Sequence, residues 1–266
     1  MLKLVIRSGV LVGLAAMSFV DLASIVLGCP LSPRLLAFVT LLAFASYAVD
    51  RVADEVQANA PGRHPERIRW SLSAIVAVGV MLPCALRGQW TLAALSTAYP
   101  LSVALYGRIK RIPFVKAFYV AALWAALVLF AACAARAIRP LTLLAIALFV
   151  FGKIFVGVVV CDIKDMDADE KAGVRTIPTA LGLRSSLRVL HACNAAFAGL
   201  TAILVVVRVL PMFMLVVEGH ALVVCGVLLA MRRVPVARRF YVSELAFDAS
   251  YSLIVPLVAL GRNVLG

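Results

Sequence analysis

Residues 158–178 read VVVCDIKDMDADEKAGVRTIP, running from Val158 to Pro178. A valine run is followed at once by four aspartates and a glutamate within the nine positions Asp162 to Glu170. Asp162, Asp165 and Asp169 stand at i, i+3 and i+7, spacings that a 3.6-residue repeat gathers on one helix face. Asp167 is turned roughly 140° from Asp162 and points elsewhere. The chain has only 13 acidic residues, and a second group closes another apolar run, SYAVDRVADE, with Asp50, Asp54 and Glu55. Asp50 and Asp54 are again one helical turn apart.

The surroundings of these acids are those of a membrane protein. Of the 266 residues 64% are hydrophobic, 15% are charged, and the mean hydropathy is +1.04. Soluble domains carry about 25% charged residues. A bilayer core of roughly 30 Å needs about 20 apolar residues per helix, and the Ala, Leu and Val runs have that length. They do not alternate as barrel strands would. Spans are predicted near 8–28, 33–54, 68–87, 90–106, 114–135, 141–162, 187–208, 211–231 and 244–261. The expected fold is therefore all-α and polytopic, a bundle of about nine transmembrane helices around a central, lipid-open cavity, in a single domain over residues 1–266.

The 26 Lys and Arg residues orient the bundle. Nineteen fall on one side of the predicted spans, six on the other, and Lys153 lies inside a span. The positive-inside rule then puts the N-terminus in the cytoplasm, with both acidic groups at the cytoplasmic interface. This asymmetry accounts for the net charge of +13 without nucleic acid as a partner, and suits contact with anionic lipid headgroups or an anionic substrate. The six cysteines are scattered without CxxC spacing, so neither a zinc site nor a disulfide framework is expected. The N-terminal Lys3, Arg7 and VLGC at 26–29 imitate a secretory signal, but the run is long, contains Asp21 and precedes eight more spans.

Carboxylates one turn apart repel, and near a bilayer they call for a positive partner. Clustered oxygen ligands suit hard divalent cations, and Mg²⁺ is commonly held by a few carboxylates together with substrate phosphates. Two acidic helix faces predict two walls of one polar pocket. Solvated helix ends, or the cation path of a transporter, are the alternative readings of the same acids.

Basic loops share that membrane face. YGRIKRIPFVK, Tyr106 to Lys116, offers Arg108, Lys110 and Arg111 with no acid between them. The loop after Asp54 adds Arg63 and Arg67, and KAGVRTIPTALG adds Lys171 and Arg175 around Gly173 and Pro178. Arg forks and Lys ammonium groups fit phosphate oxygens. Glu218 and His220 in the eighth span are expected to be paired internally and are given no function, and Glu244 and Asp248 open the ninth.

The pattern DIKDMDADEKAGVRTIPTALG resembles the second motif of the UbiA superfamily of intramembrane prenyltransferases, with Asp162, Asp165, Asp169, Gly173, Thr176, Ile177 and Pro178 in register. SYAVDRVAD is similar to the first motif at Asp50 and Asp54, with Ser46 where the family has Asn. Tyr106 and Lys110 match the family's YxxxK, with Arg111 following. The resemblance implies Mg²⁺ and a prenyl diphosphate bound by Asp50, Asp54, Asp162, Asp165 and Asp169. It also implies diphosphate contacts from Lys110, Arg111 and Arg63 or Arg67, and Tyr106 beside the first carbon of the prenyl chain.

The implied chemistry is transfer of a prenyl group to an acceptor, an aromatic or other lipid-pathway precursor, within the membrane. Metal, Lys and Arg would neutralise the leaving diphosphate. An apolar cavity would keep water from the allylic cation, with Phe118, Tyr119 and Trp124 as candidate lining and Asp54 or Asp162 as candidate proton acceptors. A membrane terpene cyclase on the same scaffold is the second enzyme reading, and an ion or lipid transporter the third. Prenyl length, acceptor identity and oligomeric state are not legible in these residues.

Overall fold

The computed structural model describes residues 10–59, 79, 86–110, 112–134, 139–235, 239, 241–243 and 248–265. The predicted span at 68–87 lies almost wholly outside them. The described secondary structure is helical throughout. The helices are α1 (Val10–Val26), α2 (Pro33–Asn59), α3 (Trp90–Ile109), α4 (Val115–Ala134) and α5 (Pro140–Lys171). They continue as α6 (Ile177–Val206), α7 (Met214–Val217), α8 (His220–Arg233), α9 (Asp248–Tyr251) and α10 (Ile254–Leu265). By length and composition α4, α5, α6 and the stretch Met214–Arg233 can each cross a bilayer, and three shorter apolar helices accompany them.

Helix α5 is the centre of the bundle. Its most apolar stretch is 67% buried, against 22% for that of α6, which faces outward. Ile146, Val150, Val159, Val160 and Ile163 of α5 are buried in one continuous core with Ala121, Leu127, Val128 and Phe130 of α4 and Leu190 of α6. At 1.5 Å per residue its 32 residues span about 48 Å, well beyond a hydrocarbon core of roughly 30 Å. The predicted boundary at Asp162 is therefore passed without a break, and the whole acidic segment is helical. Gly152 allows α6 to approach: a Cβ there would stand 2.4 Å from the Phe197 ring.

Helix α5 ends where a left-handed residue becomes necessary. Gly173 has φ 69°, and the N–H groups of Ala172, Gly173 and Val174 return to the carbonyls of Ala168, Glu170 and Asp169. Thr176 then caps α6: Thr176 and Thr179 exchange side-chain and backbone hydrogen bonds, and Pro178 lies in the first turn. This chemistry starts α6 at Ile177, ten residues before the predicted span, and Gly182 (φ 71°) separates a short first segment from the long helix.

Interior polar groups join the helices. The Tyr251 hydroxyl donates 2.8 Å to the Lys153 carbonyl, and Asn194 Nδ2 donates 3.0 Å to the Ala221 carbonyl. Glu218 pairs with Lys153 of α5 rather than with His220, whose Nε2 meets Ser250 Oγ at 2.9 Å. Both residues are thus paired inside the bundle, and their partners come from other helices. Apolar lipid gives little drive for apolar faces to associate, so such bonds and close contacts specify how the helices meet.

Candidate active site

A cavity of about 240 Å³ opens among six elements. Val12 and Ala15 of α1, Ala43, Ser46 and Tyr47 of α2, and Tyr99 and Tyr106 of α3 form part of its wall. Lys116, Val120, Leu123 and Trp124 of α4 face Ile154, Gly157, Val158, Cys161, Asp162, Lys164 and Asp165 of α5, with Tyr251 completing it. The ionic groups sit together at one end. Trp124 lies about 12 Å along α4 from Lys116, and Ile154 about 16 Å along α5 from Asp165, which gives the cavity a polar head and an apolar body.

Asp162 and Asp165 of the second acidic group line the head, and Asp169 lies one turn beyond them on the same helix face, outside the cavity lining. Asp162 is buried, Asp165 and Asp169 are partly buried, and Asp167 and Glu170 are exposed. Lys116 Nζ lies 2.7 Å from Asp162 Oδ1 and 3.7 Å from Asp169 Oδ2, and Lys164 Nζ lies 3.3 Å from Asp165 Oδ2. Asp169 Oδ2 is sealed from solvent yet accepts no hydrogen bond.

Helix α4 is held in register with this wall by backbone as well as side chain. The N–H of Phe114, a residue with φ 64°, donates 3.0 Å to the carbonyl of Arg175 in the turn after α5. That bond places the first turn of α4, and with it Lys116, beside the last turns of α5.

The remaining expected site residues divide three ways. Ser46 is buried in the cavity wall, and Tyr106 lines the cavity, stacks on Tyr119 at 6.2 Å and has the Lys110 ammonium 5.8 Å from its ring centroid. Lys171 and Arg175 are exposed at the turn and do not line the cavity. Asp50 and Asp54 belong to α2, four and eight residues beyond Ser46, but their side chains are not among the described ones, and Arg63, Arg67 and Arg111 lie outside the described residues altogether.

Of the aromatic candidates Trp124 lines the cavity. Phe118 is half exposed and packs on Phe155, while the Tyr119 hydroxyl donates to the Ser102 carbonyl, so neither contributes to the wall. Lys116, Lys164, Tyr47, Tyr99 and Tyr251 also line the cavity and are not among the site residues expected from sequence. For the two lysines a signal existed: Lys116 is the last cation before a long apolar helix, and Lys164 is flanked by the acids themselves.

The model of the UbiA prenyltransferase family matches residues 11–251. The chain belongs to that family, a class of integral membrane enzymes whose activity is prenyl transfer. Among solved structures it is similar to the apo structure of a UbiA homologue from Aeropyrum pernix K1, with TM-score 0.72 and 20% identity over 95% of this chain and 97% of that one. It is also similar to a structure described as giving insight into digeranylgeranylglyceryl phosphate synthase in membranes, with TM-score 0.59 and 14% identity over 99% and 100% of the two chains. A comparison with curated proteins gives no match.

Proposed function

We propose that this chain transfers a prenyl group from a prenyl diphosphate to an acceptor inside the membrane, with Mg²⁺ as its metal and with the acidic head of the cavity facing the cytoplasm. The observation that carries the reading is the cavity itself, in which Asp162, Asp165, Lys116 and Lys164 share a wall with Tyr106, Trp124 and Ile154. An anionic head and a long apolar tail are the two halves of a prenyl diphosphate.

Among the described residues no three His, Cys, Asp or Glu side chains already form a metal-binding group. The donor set nevertheless fits a hard cation: three carboxylates share one face, and the sealed Asp169 Oδ2 has no hydrogen-bond donor. Asp162, Asp165 and Asp169, with Asp50 and Asp54 of α2, would hold Mg²⁺, which supplies positive charge to the departing diphosphate.

The chain's own residues do the rest. Lys110 and Lys116 add ammonium charge at the head. Tyr106 and, deeper in the cavity, Trp124 line the wall and would supply aromatic rings to stabilise the allylic cation. Apolar walls from α1, α4 and α5 keep water from that cation until a carbon or oxygen of the acceptor captures it. The proton lost from the acceptor passes to a carboxylate of the head, Asp54 or Asp162.

The test uses the purified full chain in lipid nanodiscs, a radiolabelled prenyl diphosphate and a membrane lipid extract. Diphosphate release with label appearing in a new lipid, lost on chelation and restored by Mg²⁺, is the expected result. A hydrocarbon made from the donor alone would replace transfer by cyclisation, and ion movement without diphosphate release would overturn the enzyme reading.

A further inference from the structure

Lys116 is the first cation to meet the acidic wall from another helix. Its ammonium is 2.7 Å from Asp162 Oδ1, a carboxylate whose side chain is 3% exposed, and 3.7 Å from Asp169 Oδ2. A carboxylate so buried requires a partner, since an uncompensated charge in such a site is strongly destabilising. The helix face thus sets three carboxylates together, Asp162 and Asp165 on the cavity and Asp169 one turn beyond, and Lys116 and Lys164 stand against them.

The position of Lys116 is built in. It stands in the first turn of α4, next to a connection tied to Arg175 by the Phe114 N–H, and α4 packs against α5 with Ala117, Ala121 and Val128 buried in the common core. An ammonium delivered by this frame does not need to be recruited from solution.

We propose that Lys116 is an intramolecular counter-ion of the acidic wall, occupying the place between Asp162 and Asp169 and competing there with a divalent cation. The inference rests on the reading of that wall as a metal site and adds what the metal must displace. A cation held by these carboxylates would take the place of the ammonium at Asp162 and leave it to the cavity that Lys116 also lines. Loading therefore couples two events: the carboxylates exchange partners, and a positive group becomes available to the incoming diphosphate. The lysine neutralises the wall and lowers its affinity for metal alone.

The experiment measures Mn²⁺ binding to the purified full chain in nanodiscs by the electron paramagnetic resonance signal of free Mn²⁺, without any diphosphate. Lys116→Met is expected to bind Mn²⁺ about tenfold more tightly than the wild type, the size expected for one charge-assisted hydrogen bond. Lys116→Gln makes the same neutral comparison should the methionine variant not purify folded, and thermal unfolding establishes that for each. Lys116→Arg is expected to keep the wild-type affinity within about threefold, because it keeps the charge. Wild-type affinity or weaker binding in both neutral variants overturns the proposal, as does equal tightening in the arginine variant. Absence of Mn²⁺ binding in every protein overturns the metal reading of the wall and the counter-ion with it, an outcome distinct from binding that ignores Lys116.

Discussion

The backbone N–H of Phe114 donates a 3.0 Å hydrogen bond to the carbonyl of Arg175, joining the connection before α4 to the turn that ends the acidic helix. Phe114 adopts φ 64°, a left-handed conformation that is uncommon for a residue with a side chain. Two substitutions separate the bond from the strain. Phe114→Gly keeps the donor and removes the steric cost, so stability is expected to be unchanged or higher by about 1 kcal/mol. Phe114→Pro removes the donor and cannot take positive φ, so it is expected to lower both thermal stability and turnover. Thermal unfolding in detergent with a turnover assay on both variants measures this; equal behaviour would show that the bond does not position α4.

Asp162 is the most buried acid of the wall and lies on the cavity. Asp162→Asn keeps the shape and removes the charge. Turnover is expected to fall by about 10²–10³, the range for loss of one preorganised electrostatic contact. Normal turnover in a folded Asp162→Asn protein would remove this residue from the chemistry.

Lys153 and Glu218 pair in the interior, with side chains 2% and 10% exposed. Breaking such a pair by removing one partner leaves a lone buried charge and costs about 3–5 kcal/mol, whereas removing both is close to neutral. Lys153→Met is therefore expected to be severely destabilised, and Lys153→Met with Glu218→Gln to recover most of the loss. Unfolding midpoints of the single and double variants complete the cycle, and additive effects would mean that the two charges are not coupled.

Gly152 lies where the Phe197 ring leaves no room, since a Cβ would stand 2.4 Å from it. Gly152→Ala is expected to destabilise by about 1–3 kcal/mol through overpacking. Combining it with Phe197→Leu should return part of that loss, and thermal unfolding of the three proteins measures the recovery. No loss in Gly152→Ala would mean that α5 and α6 separate easily.

What the sequence determined by itself was everything that depends on a local period. Apolar runs of bilayer length required helices, the i, i+3, i+7 spacing put Asp162, Asp165 and Asp169 on one face and left Asp167 off it, and the motif around Gly173 and Pro178 carried the family. Gly173 and Thr176 show the same locality, because a left-handed residue and a cap act within one turn of chain. The tertiary structure alone decided which residue from another helix meets that face. In sequence Lys116 is a cation at the foot of a long apolar helix and Glu218 an acid inside a span, each without a legible partner. Their partners, Asp162 and Lys153, are set by the rotation and offset of packed helices. Those follow from the fit of whole side-chain surfaces across the bundle, a property that no single stretch of chain contains.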